Sequence, residues 1–391
     1  MERIYLDNAA TTALRPEALE AMLPFFADRY ANASSLHSSG QRVHHALDQA
    51  RERTATALGA KPSEIVFTGT GSEADALALC GILACSGRRN ELITCATEHH
   101  AVLHTAEALR ARGHSVTIVP VDGDGVLQAD SLAAALSERT ALVSVMHANN
   151  EIGTIAPIAR LAALAHERGA RFHTDAVQSV GHVPVDVDAL GVDALSFSAH
   201  KFEGPKGVAG LYLRHGTPVE PLIHGGGQED GRRSGTENVP GIVGLSVALE
   251  LAVKELPASV YRLSALRDRL IQQLLGQIPD SSLNGPVRDR LPNNINARFA
   301  GIEGDTLVVG LDLAGIDIST GSACSSGSLD PSHVMTAIGL DAPQARGCIR
   351  LSLGRMTTAE QLDRVTASLV PLVARLRSLS GALLADSAQP G

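Results

Sequence analysis

Ser196-Phe-Ser-Ala-His-Lys-Phe-Glu-Gly-Pro-Lys-Gly207 sets a lysine directly after a strand-like run and just ahead of a rigid Gly-Pro turn. Lys201 has two readings. It is either a solvated surface lysine or an amine held among small residues; such an amine loses its proton easily and, once neutral, condenses with an aldehyde to form a Schiff base. Ser198 and His200 flank it with hydrogen-bonding groups, and Pro205 and Gly207 fix the exit of the chain.

Working outward, apolar runs of strand length recur at 65–67, 92–93, 116–119, 142–146, 171–172 and 194–196. Helical stretches such as 101–112 and 158–168 separate them, and this alternation predicts an α/β fold with a largely parallel sheet. Ligands of such sheets gather beyond the carboxyl ends of the strands, so the polar residues just after each strand carry the functional reading.

Toward the N-terminus, residues 4–12 read as a short strand entering a polar turn, Pro16 opens a helical pattern to about Arg29, and 41–58 reads as a helix. After Asn238 the pattern changes to a helix over 241–255, a break at Pro257, a second helix to about Gln277 and a Pro/Asn-rich joint at 286–294. The division predicted is an N-terminal segment 1–15 associated with a small domain, a large domain 16–255, and a small C-terminal domain 256–380. An amphipathic helix at 358–378 closes it, with a flexible small-residue tail at 381–391.

The 391 residues are enough for a large core and two or three domains. With 42 acidic against 33 basic residues the net charge is −9, and without a basic run this argues against a nucleic-acid binder. No apolar run approaches the ~18 residues of a membrane span, and the first residues lack the apolar core of a signal peptide, so a cytoplasmic protein is expected. The five cysteines, Cys80, Cys85, Cys95, Cys324 and Cys348, have neither disulfide-framework nor zinc spacing. Cys80 and Cys85 sit in an apolar run and read as buried structural thiols. Cys324 instead lies in Gly321-Ser-Ala-Cys-Ser-Ser-Gly-Ser328, small residues that cannot pack a core and read as a mobile loop.

Gly69-Thr-Gly-Ser-Glu-Ala74 follows a strand and opens a helix, a geometry that offers backbone N–H groups to a phosphate. The same letters fit a dinucleotide fingerprint, with no well-placed acid on a following strand, and they also fit a plain turn. His99, His100 and His104 invite a metal reading, but only His100 and His104 have the i, i+4 spacing; a histidine packing on a flat ligand or capping a helix fits better. Asp175, at a strand end, needs a cationic partner if it is buried, and is otherwise a helix N-cap. A carboxylate for a pyridinium nitrogen, a Schiff-base lysine and a phosphate-binding helix N-terminus are together the parts of a pyridoxal 5'-phosphate (PLP) site.

Seven strings, in order, then resemble one family. Tyr5-Leu-Asp-Asn-Ala-Ala-Thr-Thr12, Asn149-Asn-Glu-Ile-Gly153, His173-Thr-Asp-Ala-Val-Gln178, Ser196-Phe-Ser-Ala-His-Lys201, Gly225-Gly-Gly-Gln-Glu229, Arg233-Ser-Gly-Thr-Glu-Asn238 and Gly321-Ser-Ala-Cys324 are similar to those of the cysteine desulfurases (NifS/IscS-like), PLP enzymes of the class V aminotransferase group. The resemblance implies fold type I, with a seven-stranded sheet in the large domain, a small α+β domain, and a homodimer. It implies that Lys201 forms the Schiff base and removes the Cα proton, that Asp175 pairs with the pyridinium, that Gln178 bonds the ring hydroxyl and that His99 stacks on the ring. Gly71, Ser72, Ser198 and His200 would bind phosphate together with Thr236 of the neighbouring subunit, Asn150 would lie near cofactor and substrate, and Arg350 would clamp the substrate carboxylate. The Cys324 thiolate would take sulfur from L-cysteine as a persulfide, release L-alanine and pass the sulfur to an acceptor protein such as an iron-sulfur scaffold. A selenocysteine lyase or a class V aminotransferase on the same fold is the alternative; a dinucleotide-dependent enzyme and a non-catalytic sulfur carrier stand further off. Cys348 departs from a usual serine beside Arg350, and is read either as an influence on the thiol chemistry or as a small core residue.

Overall fold

The computed structural model describes residues 3–320 and 331–387, with side chains described as far as Leu379. Its strands in chain order are β1 (Ile4–Tyr5), β2 (Ile65–Thr68), β3 (Glu91–Cys95), β4 (Ser115–Val119), β5 (Thr140–Ser144), β6 (Arg171–Asp175), β7 (Ala194–Ser198), β8 (Ala209–Leu213), β9 (Ser281–Leu283), β10 (Asn294–Phe299), β11 (Ile316–Asp317) and β12 (Cys348–Ser352). Seven of them form one sheet in the order β2-β8-β7-β6-β5-β3-β4. The run from β7 to β4 pairs in parallel throughout, and β8 is antiparallel to both its neighbours.

Apart from the edge strand β4, the strands of this sheet are buried on both faces, which favours apolar residues on either side of each strand. Within each strand successive side chains go to opposite sides. Val66, Leu92 and Leu142 join one cluster with Leu77 and Ile82 of the helix Gly71–Ala84. Phe67, Ile93 and Val143 join the other, against Val43 and Leu47 of the helix Ser38–Leu58 and Leu245 of the helix Val239–Gln277. The fold is the mostly parallel α/β sheet that the sequence pattern predicts.

A separate antiparallel sheet, β12-β10-β9, and the parallel pair β1-β11 contribute to a third apolar cluster built on Ile4, Leu6, Phe299, Leu307, Ile349 and Leu362.

Four local expectations are corrected. Pro257 does not break a helix: Val239–Gln277 is one element containing it. The lost backbone hydrogen bond is tolerated because each half is anchored by its own core, Ile242, Leu245 and Leu249 in the first and Leu263, Leu270 and Leu274 in the second. The expected helix after Pro16 is instead two short ones, Pro16–Met22 and Pro24–Ala27, because the second proline interrupts the first element. The last helix, Ala359–Ser387, passes beyond the residue where a flexible tail was expected; Ala382, Leu383, Leu384 and Ala385 are strong helix formers, and Gly381 alone costs only about 1 kcal/mol. Cys85 is exposed and Cys80 only partly covered, since the apolar run ends at the C-cap position that Cys85 occupies. Among the described residues no helix is long and apolar enough to cross a membrane.

Candidate active site

The carboxyl ends of β2, β6 and β7 open on one cavity of about 600 Å³. His99, Gly71, Ser72, Asn150, Asp175, Gln178, Ser198, His200, Lys201 and Arg350 all line it. Thr236 lines a separate cavity of about 110 Å³ that shares Gly69 and Gly207 with the first. Cys324 and its loop lie outside the described residues.

Lys201 closes the short helical turn Ala199–Lys201 after β7. Its Nζ donates to the carbonyls of Ala9 at 2.6 Å and Ala10 at 2.8 Å. Gln178 Nε2 also donates to the Ala9 carbonyl, at 2.9 Å, and His200 Nδ1 lies 3.2 Å from Thr11 Oγ1. The N-terminal segment is therefore a wall of the cavity. Sequence reasoning placed that segment with the small domain and missed this role, because backbone carbonyls leave no side-chain signature.

Asp175 ends β6 almost fully buried, with Oδ1 accepting from the Val177 N–H at 2.9 Å. Burial pushes its carboxyl up to about 6, against the opposing pull of that N–H and of Lys201. The residue thus caps a turn and is at the same time a buried acid, for which a cation is the stabilising partner. Asp75, which lines the same cavity, is raised well above the carboxylate range by burial and by the charge of Asp175. His99 has its imidazole pushed down to about 4 by burial and by Lys201, so the ring is neutral at pH 7 and can lie against a flat aromatic group. Its Nδ1 accepts from the Ala101 N–H at 3.1 Å, making it also the N-cap of the helix His100–Ala111. Among the described residues no group of three His, Cys, Asp or Glu side chains is placed to hold a metal.

At the phosphate end, the Thr70 side chain takes the Glu73 N–H and caps the helix Gly71–Ala84. The N–H groups of Gly71 and Ser72 belong to its first turn, where no intrahelical carbonyl reaches them. Glu73 fixes this turn by accepting from the Gly69 N–H and from Arg233 Nε, both at 2.8 Å. His200 is held neutral by burial and by Lys201 and Lys206, its imidazole pushed down to about 4.

Arg350 enters from the other sheet. It is buried on β12; Nη2 donates to Asp7 Oδ1 at 2.8 Å and Nη1 to the Asn150 carbonyl at 3.0 Å. Cys348, two residues earlier, accepts from Asn284 Nδ2 at 3.1 Å and donates to the Gln344 carbonyl at 3.3 Å. It packs with Ile152, Val334 and Met335, and burial pushes its thiol up to about 11. These surroundings favour the core-residue reading.

The donor set fits PLP on observations internal to this chain. A buried acid lies where a ring cation would stabilise it, a neutral imidazole lines the same cavity, and a capped helix start offers N–H groups near a lysine amine.

The chain is similar to known proteins along nearly its whole length. The Aminotransferase class-V family profile matches residues 4–365. Cysteine desulfurase IscS of Dictyoglomus turgidum is 50% identical over 378 residues, 96% of each chain. A solved NifS-like protein superposes with a TM-score of 0.90 at 39% identity, covering 95% of this chain and 99% of its own. SspA, solved in complex with cysteine, superposes with a TM-score of 0.80 at 38% identity, covering 90% and 98%. On these matches the chain belongs to the class V aminotransferases and, within them, to the cysteine desulfurases.

Proposed function

We propose that the cavity converts L-cysteine to L-alanine and leaves the sulfur as a persulfide on Cys324. The chain is a PLP-dependent cysteine desulfurase. When bound, PLP supplies an electron sink for the charge that develops at the substrate Cα.

The protein's own groups supply the rest. Arg350 holds the α-carboxylate, its guanidinium aimed by Asp7 and the Asn150 carbonyl. Lys201 takes the Cα proton as a neutral amine and becomes an ammonium, a form the Ala9 and Ala10 carbonyls stabilise because they only accept. With PLP bound, Asp175 would keep the ring nitrogen protonated, Gln178 would bond the ring hydroxyl, and His99 would cover the ring. Gly71, Ser72, Ser198 and His200 would hold its phosphate. The Cys324 thiolate then attacks the substrate sulfur. A sulfur–sulfur bond forms, the Cβ–S bond breaks, its electron pair stays on the carbon side, that carbon is protonated, and the Lys201 ammonium gives a proton back to Cα, so that alanine leaves with both carbons saturated and Lys201 neutral again.

In this reading the chain is a cytoplasmic homodimer in which Thr236 of each subunit completes the other's phosphate site, and the persulfide goes to an acceptor such as an iron-sulfur scaffold protein. What supports it most is the convergence of Lys201, Asp175 and Arg350, from three distant segments, on one cavity.

The test is single-turnover and steady-state assay of the PLP-loaded protein with L-cysteine and a reductant, measuring alanine and sulfide. Wild type makes both in equal amounts, while Cys324→Ala and Lys201→Ala make neither. Transamination without sulfide would replace this reading with the aminotransferase one, and activity confined to L-selenocysteine with the lyase one.

A further inference from the structure

Glu203 stands two residues after Lys201, with a backbone φ of 65°. That left-handed conformation suits glycine or asparagine, and a glutamate has no intrinsic preference for it. Its surroundings hold it there. The Glu203 N–H donates to Thr12 Oγ1 at 2.8 Å, and its carbonyl accepts from the Arg15 N–H at 2.9 Å. Its carboxylate accepts from Arg355 Nε at 2.9 and 3.1 Å, and lies 3.5 Å from Nε of the buried Arg15. Arg15 is in turn anchored to Glu255 on the long helix at 2.7 Å.

Arg355 sits on the turn that follows β12, the strand carrying Arg350. That turn is itself pinned, since Arg262 of the long helix donates to the carbonyls of Gly354, Arg355 and Thr357. The Glu203–Arg355 pair therefore joins the lysine turn of the large sheet to the arginine strand of the small one, beside a cavity of about 60 Å³ lined by residues of both.

We propose that Glu203 is a positioning residue: through Arg355 it fixes β12, and with it the Arg350 guanidinium, against the lysine turn, and so seats the substrate's α-carboxylate. The inference rests on the desulfurase reading above. A carboxylate clamp and a base fixed to different sheets must be tied together, because small misplacements of a bound substrate are costly to rate and binding. Glu203 makes this tie at a strained backbone position, and the strain has no return in local hydrogen bonding that glycine would lack.

Glu203→Gly relieves the backbone and deletes only the side chain; Arg355→Gln removes the partner charge. Each variant, PLP-loaded, is expected to raise KM for L-cysteine by about tenfold with kcat within about twofold, and the double variant by the same tenfold, since the two act as one unit. Glu203→Gly is expected to melt no lower than wild type, and the visible absorption of the bound cofactor to stay unchanged in all three. Unchanged KM in both single variants overturns the proposal, as does a double variant whose effect is the product of the singles. A parallel fall in Tm, kcat and cofactor absorption overturns it in favour of a folding role. If wild type itself makes no alanine, the desulfurase reading fails first, and the control separates that failure from this one.

Discussion

Arg350 is the residue on which substrate recognition turns, and Asp7 decides how it is presented. A buried guanidinium with a carboxylate on one edge is held in one orientation, and its planar fork then fixes where a second carboxylate can dock. Asp7→Ala is expected to raise KM for L-cysteine about tenfold, whereas Asp7→Asn keeps the hydrogen bond and changes it less; steady-state kinetics on the two variants decide this. Glu98, next to His99, has a different consequence. It is fully buried, with Oε1 accepting from the Met146 N–H at 2.7 Å and from the Cys95 thiol at 3.1 Å, and burial pushes its carboxyl up to about 8. The folded state therefore keeps a proton that the unfolded chain releases above its ordinary range, so this group's contribution weakens folding progressively as pH rises from about 4.5 to about 8. Glu98→Gln should flatten the fall of Tm over that interval; an equally steep fall in the variant would assign the slope to other groups.

At the scale of the element, β8 shows where the sheet admits no variation. Gly210 pairs directly with Phe197 across the ladder, and a Cβ at Gly210 would overlap the Phe197 ring. Gly210→Ala is accordingly expected to destabilise by about 1–3 kcal/mol, read by denaturant midpoint, with loss of cofactor binding to follow because Phe197 precedes Ser198 of the site. Six of the seven strands of the large sheet were legible in the sequence as short, mainly apolar runs such as Ile65-Val-Phe67, while β8 was not read as one. Helix boundaries at prolines were not, because whether Pro257 stops a helix depends on apolar partners distant in the chain, as with Leu249, which joins the cluster of Val43 and Leu47. Lys201 and Asp175 carried a chemical signature in the sequence, His99 and Arg350 came from the family resemblance, and all four line one cavity. Asp7, the Ala9 and Ala10 carbonyls and Glu203 were not, since their parts arise from backbone atoms or from tertiary proximity alone.

The whole molecule is tied together by its N-terminal stretch. β1 pairs with β11, Asp7 bridges to Ser352 and pairs with Arg350, and Ala9 to Thr12 wall the lysine. Pairings as remote in the chain as Ile4 with Ile316 and Asp7 with Arg350 make the fold slow to close relative to one built from local pairs. The consequence concerns synthesis. As the chain leaves the ribosome, the large sheet can complete itself once β8 is out, yet Asp7 has no arginine to meet and β1 has no strand to join until β11 and β12 have emerged. The lysine pocket of a nascent chain thus lacks its settled wall through most of translation, and the cofactor finds its finished home only when nearly the whole polypeptide has been made.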